Sequence, residues 1–205
     1  RGMADLGLLG LTINEEYGGS GGTTLQLAIA VEEIARGCAS TSVIYLAHLS
    51  LCTQLIHTFG TESQKRKFIP RLTSGEKIGA FALTEPGCGS DAVSMRTTVT
   101  ESKGSHLLNG SKTFITNARE ADVFVVLATR DPGLRDQGIE ALVVEKGSTG
   151  LIINPQNGKM GMRASSTAEV VFENCPVLEG NRLGEKGQGF RQAMVSLDAS
   201  RISTA

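Results

Sequence analysis

Two hydrophobic periods divide the chain. Between Thr24 and Arg36 the apolar residues Leu27, Val31 and Ile34 recur at helical spacing while Glu32 and Glu33 fall on the opposite side, which predicts an amphipathic helix. Thr23 or Thr24 caps its start and Gly37 ends it. From about Ser42 to Thr58, Leu46, Leu49 and the Thr53/Ile56 pair lie on overlapping faces, so this helix is apolar almost all round, as a central buried helix is. Gly60 stops it. Thr61-Glu-Ser-Gln64 then has the spacing of a capping box and opens a short basic helix through Lys65, Arg66 and Lys67, which Pro70 is expected to interrupt. Its charges read as a solvated face.

After Gly75 the period shortens. Ile78–Leu83, Gly104–Leu108, Ser111–Thr116, Asp122–Ala128, Ile139–Val144 and Ala168–Phe172 are short runs rich in β-branched or aromatic residues, separated by turn residues, which predicts a β module. Asn109-Gly110 between two of these runs fits a type I′ hairpin turn, so His106-Leu-Leu and Thr113-Phe-Ile-Thr116 are expected on paired antiparallel strands. From Gly187 the helical period returns through Phe190, Met194, Leu197 and Arg201, with no cap or breaker before Ala205, so more helix is expected beyond it. The order is helices, then strands, then helix again, an α+β chain without internal repeats.

Composition removes several function classes. Twenty Lys plus Arg against 21 Asp plus Glu leave a net charge of −1, with no bulk attraction to nucleic acid or anionic membrane. Gly37–Thr61 contains no charged residue, but Ser40, Thr41, Ser42, His48, Ser50, Thr53 and Gln54 interrupt it, so it is expected to be a buried helix and not a membrane span. Cys38, Cys52, Cys88 and Cys175 are scattered without a C-x-x-C pair and are expected to be reduced thiols of a cytosolic or organelle-matrix protein. His48, His57 and His106 share no ligand spacing, so no metal site is expected. Arg1–Asp5 shows no leader pattern, and the natural start is expected upstream.

The densest chemistry is Phe81-Ala-Leu-Thr84-Glu-Pro-Gly87-Cys-Gly89-Ser90-Asp91, a strand running into a turn. Its glycines let backbone N–H groups approach a phosphate, and Ser90 adds a hydroxyl; a plain tight turn would use the same residues. Gly87-x-Gly89-x-x-Ala92 also matches a dinucleotide fingerprint, but Val93–Thr100 does not read as an opening helix and no acidic residue stands about twenty positions on, where Asn109-Gly110 lies instead.

These eleven residues resemble the signature of the acyl-CoA dehydrogenase family, and Asn109-Gly-Ser-Lys-Thr-Phe114-Ile-Thr116-Asn117 resembles its second flavin motif. Leu6-Gly-Leu-Leu-Gly, Glu16-Tyr-Gly-Gly19, Phe59-Gly-Thr-Glu62, Lys159-Met-Gly-Met-Arg163 and Gly184–Arg201 follow in family order, so the resemblance covers nearly the whole chain. It implies an N-terminal helical domain (1–77), an antiparallel β-barrel or sandwich domain that holds flavin (78–184), and the start of a C-terminal helical bundle (185–205).

The resemblance further implies FAD as cofactor. Phe81, Leu83 and Thr84 would lie along the isoalloxazine edge, and Gly89 and Ser90 at the pyrophosphate, with Ser90 also near the acyl-CoA. Phe114 stands where many members have Trp and would shield one ring face, with Ile115 beside it and the Thr116 hydroxyl near N5. Asp198, Ser200 and Arg201 match the stretch lining the acyl-CoA, with Arg201 near its pantetheine or nucleotide part; a helix-surface ion pair between Asp198 and Arg201 fits the same spacing.

The implied reaction is α,β-dehydrogenation, in which a carboxylate takes the α-proton as the β-hydrogen leaves as hydride. Ser200 stands where a minority of members carry that carboxylate and cannot replace it. The base is therefore expected beyond Ala205, and these residues alone are not expected to turn over substrate or to bind FAD tightly. Arg163-Ala-Ser-Ser-Thr167 resembles the short-chain branch, weakly favouring short or medium acyl chains. The family pattern adds an electron-transfer flavoprotein partner, a homotetramer, and a bacterial cytoplasmic or mitochondrial matrix setting. An acyl-CoA oxidase, a flavin monooxygenase of the same fold, and a non-catalytic binding or assembly protein are the alternatives.

Overall fold

The computed structural model describes residues 2–102 and 105–205; Arg1, and Gly104 of the expected 104–108 strand, lie outside them. After short turns at Gly2–Asp5, Leu8–Gly10 and Glu15–Tyr17 come three helices, α1 (Thr24–Gly37), α2 (Ala39–Phe59) and α3 (Glu62–Thr73). Seven strands follow: β1 (Gly79–Ala82), β2 (Thr98–Ser102), β3 (Ser105–Thr116), β4 (Val123–Thr129), β5 (Ile139–Glu145), β6 (Leu151–Pro155) and β7 (Thr167–Leu178), and then α4 (Gly189–Thr204).

The starts of α1 and α3 carry the reciprocal cap that orphan N–H groups require. Thr23 Oγ1 accepts from Gln26 N at 3.3 Å while Gln26 Oε1 accepts from Thr23 N at 2.7 Å, and Thr61 and Gln64 repeat the exchange at the head of α3. Gln64 also donates to Gly180 O (2.8 Å) and Arg182 O (2.7 Å), tying α3 to the end of the strands. Contrary to expectation, Pro70 does not interrupt α3. The proline falls in the last turns of the helix, and Phe68, Ile69 and Leu72 on either side of it are buried and hold the backbone in place.

The central helix α2 starts at Ala39, earlier than its apolar pattern suggests, and its stretch Ala47–Thr53 is wound as a π-helix. Thr53 Oγ1 donates to His48 O at 2.8 Å, across the widened turn. Length and composition alone would let Ala39–Phe59 cross a membrane, yet 67% of its apolar window is packed inside the protein, as in a core helix. His48 is wholly buried: Gly79 N donates to its Nδ1 at 3.0 Å, so its Nε2 carries the proton and donates to Leu72 O at 3.1 Å. One neutral imidazole thus joins α2, α3 and β1. β1 comes so near α2 that a Cβ on Gly79 would stand 2.7 Å from Cys52 Sγ.

Helices precede a curled sheet, as the sequence implies. The sheet is mixed: β2, β3, β7 and β6 pair antiparallel in the order β2-β3-β7-β6, whereas β1 runs parallel to β4, and Thr98 of β2 meets Thr129 of β4 in parallel. β4 also pairs antiparallel with β5. β4 is buried along its whole length because both its faces are covered. Val123, Val125 and Leu127 pack with the helices, while Phe124, Val126 and Ala128 join a second core inside the curl with Leu108, Ile115, Val170 and Phe172.

The expected Asn109-Gly110 hairpin is absent; β3 runs straight through these residues. His106–Leu108 and Thr113–Thr116 lie on one strand, and β3 pairs antiparallel with β2 from Ser105 to Asn109 and with β7 along its length. Gly110 has φ 141° and its backbone passes so close to Thr97 that a Cβ would lie 2.6 Å from Thr97 Cα; the pairing with β7 shifts register here. Asn109 Oδ1 accepts from Asn174 N at 2.8 Å on the neighbouring strand. Asn-Gly here makes a bulge instead of a turn.

Candidate functional site: two clamped loops

The chain leaves the sheet after β1. Glu85 and Cys88 exchange backbone hydrogen bonds of 2.9 and 3.1 Å around Pro86-Gly87, which closes the loop on itself. Thr84 O accepts from Thr113 N at 2.8 Å, so this loop lies directly against β3.

Beneath the contact sits a buried ion pair. Lys112, fully buried, donates from Nζ to Glu85 Oε1 (2.8 Å) and to Leu83 O (2.9 Å). The Glu85 carboxylate also accepts from Arg96 N (2.6 Å) and Thr97 N (2.9 Å). Burial alone would raise the Glu85 carboxyl, but the Lys112 charge and hydrogen bond, with the two N–H donors, hold it below the usual carboxylate range. Burial pulls the Lys112 ammonium below its ordinary value, against the opposing pull of Glu85. Both letters lie inside the two motifs, but only the fold pairs them.

Past Lys112, the pairing of β3 with β7 shifts again, and Phe114 takes a left-handed backbone, φ 58°. A bulky residue held there carries strain of roughly 1–3 kcal/mol. The bulge turns the ring outward, leaving Phe114 68% exposed, while Ile115 points into the inner core and offers only backbone to the surface. Thr116, half-buried, pairs with Thr167. Asn117, also left-handed at φ 67°, anchors the strand end by donating to Ile44 O (3.0 Å) and Gly79 O (3.2 Å).

Two clamped loops thus present groups that the chain itself leaves unused. Among the described residues the hydroxyls of Thr84, Ser90 and Thr116 make no hydrogen bond within the chain. A Cβ on Gly87 or Gly89 would meet nothing within 4 Å, and neither has positive φ, so the fold does not require glycine at these positions. Phe81 and Leu83 are half-buried against the helical core.

The residues of α4 lie apart. α4 packs on α2 and β5 through Gln192, Ala193, Ser196, Ser200 and Ser203. Ser200 is buried and donates to Leu197 O at 3.2 Å. Asp198 and Arg201 are exposed and form no ion pair with each other among the described residues, and no hydrogen bond joins this helix to the Thr84 loop. All four cysteines are free.

Two family descriptions match, "Acyl-CoA dehydrogenase, N-terminal domain" over residues 1–76 and "Acyl-CoA dehydrogenase, middle domain" over residues 80–175. The chain is 47% identical over 203 residues to the short-chain specific acyl-CoA dehydrogenase of human mitochondria, covering 99% of this chain and 49% of that protein. Its structure superposes on butyryl-CoA dehydrogenase from Megasphaera elsdenii with a TM-score of 0.95 and 42% identity, over 98% of this chain and 54% of that one. An acyl-CoA dehydrogenase from Bacillus anthracis, solved in complex with FAD, matches with a TM-score of 0.92 and 39% identity, over 98% of this chain and 34% of that one. The chain spans about half the length of the curated relatives it matches.

Proposed function

The chain belongs to the acyl-CoA dehydrogenase family, and from that premise we propose that it forms the flavin-holding part of an enzyme that desaturates short-chain acyl-CoA thioesters. The observation that carries this reading is the clamp of Lys112 and Glu85, which holds the Leu83–Thr84 edge on β3 through Thr113, next in sequence to Phe114 with its exposed ring. The residues fit FAD. Two glycines with open space above them bare their N–H groups for a diphosphate, three hydroxyls are unused, and an aromatic wall stands next to them. Bound FAD supplies the electron-poor ring that receives a hydride from the β-carbon of the thioester.

Each residue then has a place. Phe81, Leu83 and Thr84 hold one ring edge, the Thr84 hydroxyl and adjoining backbone giving hydrogen bonds. Phe114 covers a ring face and excludes water, Ile115 contributes backbone, and the Thr116 hydroxyl donates where negative charge develops on the ring. Gly89 and Ser90 bind the diphosphate. Asp198 and Arg201, exposed on α4, would face the acyl-CoA together with Ser90, while Ser200, buried against Leu197, would back that surface from inside. A serine hydroxyl cannot take the α-proton, so we assign that step to a carboxylate outside these 205 residues. In this reading residues 1–77, 78–184 and 185–205 are the helical, flavin-holding and C-terminal helical parts of a homotetramer that hands electrons to an electron-transfer flavoprotein, in a bacterial cytoplasm or a mitochondrial matrix.

The test is the complete gene product, purified and given butyryl-CoA without oxygen. A yellow protein whose extractable flavin is FAD and whose colour bleaches is the expected result. A colourless protein, or a yellow one that butyryl-CoA leaves unchanged, would overturn the reading.

A further inference from the structure

A groove of about 410 Å³ opens between the turn after β3 and the loop joining β6 to β7. Its walls include Arg119, Lys159, Arg163, Ser165 and Ser166, and no carboxylate is among its described lining residues. Several other cations are neutralised, Arg36 by Glu33, Arg66 by Glu62, Arg71 by Glu76 and Lys67 by Glu145, while others that form no ion pair among the described residues, such as Arg96, Arg135 and Arg191, do not line this groove. Arg119, Lys159 and Arg163 form no ion pair among the described residues. Glu120 accepts from the Ser166 hydroxyl and lines a neighbouring cavity with Ile44 and Ile78 instead.

The three cations play different parts. Lys159 Nζ is bonded to Met162 O (2.8 Å), Thr167 Oγ1 (3.1 Å) and Ser165 O, all uncharged, so its proton donors are spent and its charge is fixed in the wall. Arg163 uses only Nε, to Lys159 O at 3.2 Å, which leaves its terminal nitrogens free; the Arg119 side chain makes no hydrogen bond among the described residues. Ser165 is 2% exposed and lines the groove, yet its hydroxyl has no partner. A buried donor left unmatched beside three uncompensated positive charges calls for an anion.

We propose that this groove is a phosphate-binding site that takes the phosphoryl group of a nucleotide. A doubly charged phosphoryl group answers three cations better than a carboxylate does, and it accepts from two guanidinium forks and a hydroxyl together. None of the lining residues belongs to the Gly87–Asp91 loop, although Gln156–Lys159 and Thr167 also border the cavity that Phe114 lines.

The test is calorimetric titration of the complete gene product, stripped of flavin, with inorganic pyrophosphate and with ADP. Saturable binding of one equivalent is expected, weakened about ten-fold or more by Arg119→Gln and by Arg163→Gln, to a smaller extent by Ser165→Ala, and unchanged by Arg36→Gln, an exposed cation on α1. Unaltered circular dichroism and melting in each variant exclude misfolding as the cause. Competition then identifies the source: displacement of pyrophosphate by ADP but not by FAD marks a separate nucleotide, whereas displacement by FAD but not by riboflavin would move the flavin's diphosphate from Gly89 and Ser90 to this groove and overturn it as a separate site. Absence of saturable binding, or variants of both arginines that bind as tightly as the parent, overturns the site. A protein that binds pyrophosphate but never holds flavin would sink the flavin reading alone.

Discussion

Lys112 and His48 are both polar, both shut away from water, and both join segments distant in sequence, but they do so with opposite chemistry. Lys112 is charged and needs Glu85, whereas His48 is neutral and is satisfied by one backbone donor and one backbone acceptor. The ionic link lies under the loops with unused hydroxyls and open glycines, and the neutral one lies where helices and sheet merely have to meet. A buried ion pair is a poor source of stability but fixes geometry closely, because either charge left alone is intolerable. It therefore suits the place where two loops must keep a set spacing.

Breaking the ionic link should give the largest effect. Lys112→Ala leaves the Glu85 charge stranded and is expected to cost about 3–5 kcal/mol in urea unfolding, whereas the double variant Lys112→Met/Glu85→Gln should recover a good part of that loss. An additive double variant would show that the two side chains do not act as a pair.

Acid should separate the two links. Burial pulls the His48 imidazole down to about 4, below its unfolded value, so only the unfolded chain takes up that proton between about pH 6.5 and pH 4. The corresponding stability, on the order of 3 kcal/mol, is complete above about pH 6.5 and lost as pH falls toward 4. Glu85, held below the carboxylate range, gives up its share only at still lower pH. Urea midpoints measured from pH 7 to pH 3 should thus fall in two stages, and His48→Gln should flatten the first alone.

Glycines refine the contrast further. Gly79→Ala forces a Cβ against Cys52 and is expected to cost about 1–3 kcal/mol, read as a lower melting temperature. Gly89→Ala meets open space, so its melting should shift by less than about 0.5 kcal/mol while flavin retention in the complete protein falls. A Gly89 variant that melts early would mean the loop has a structural need for glycine.

Local rules carried the reading of the sequence a long way. The capping box at Thr61, the cap at Thr23, the amphipathic stripe of α1 and the β-rich runs rest on neighbours within a turn or a pleat, and the Thr84 and Phe114 motifs stood out as letters; that Gln26 completes a box at Thr23 emerged only in the fold. Asn109-Gly110 misled because a glycine that must admit the Thr97 backbone looks, in sequence, like one that must turn. The strand β6 escaped notice because much of it faces solvent and lacks a buried alternation. Pro70 was overruled by the packing around it. The Lys112–Glu85 pair, the His48 link and the groove of Arg119, Lys159 and Arg163 join residues far apart along the chain, and no window of sequence holds them together.

The parallel pairing of β1 with β4 sets an order of events in the making of the protein. Among the described residues β1 finds its strand partner only in β4, with Gly79 opposite Val123, and the Thr84 loop rests on a strand, β3, that is also still to come. A nascent chain that has emerged only as far as Asp91 has every residue of the first motif and nothing to hold them in place. The edge proposed to face the ligand comes into being as a late, cooperative closure over a long stretch of chain, so truncations and slow steps before Thr129 should remove binding long before they remove helix.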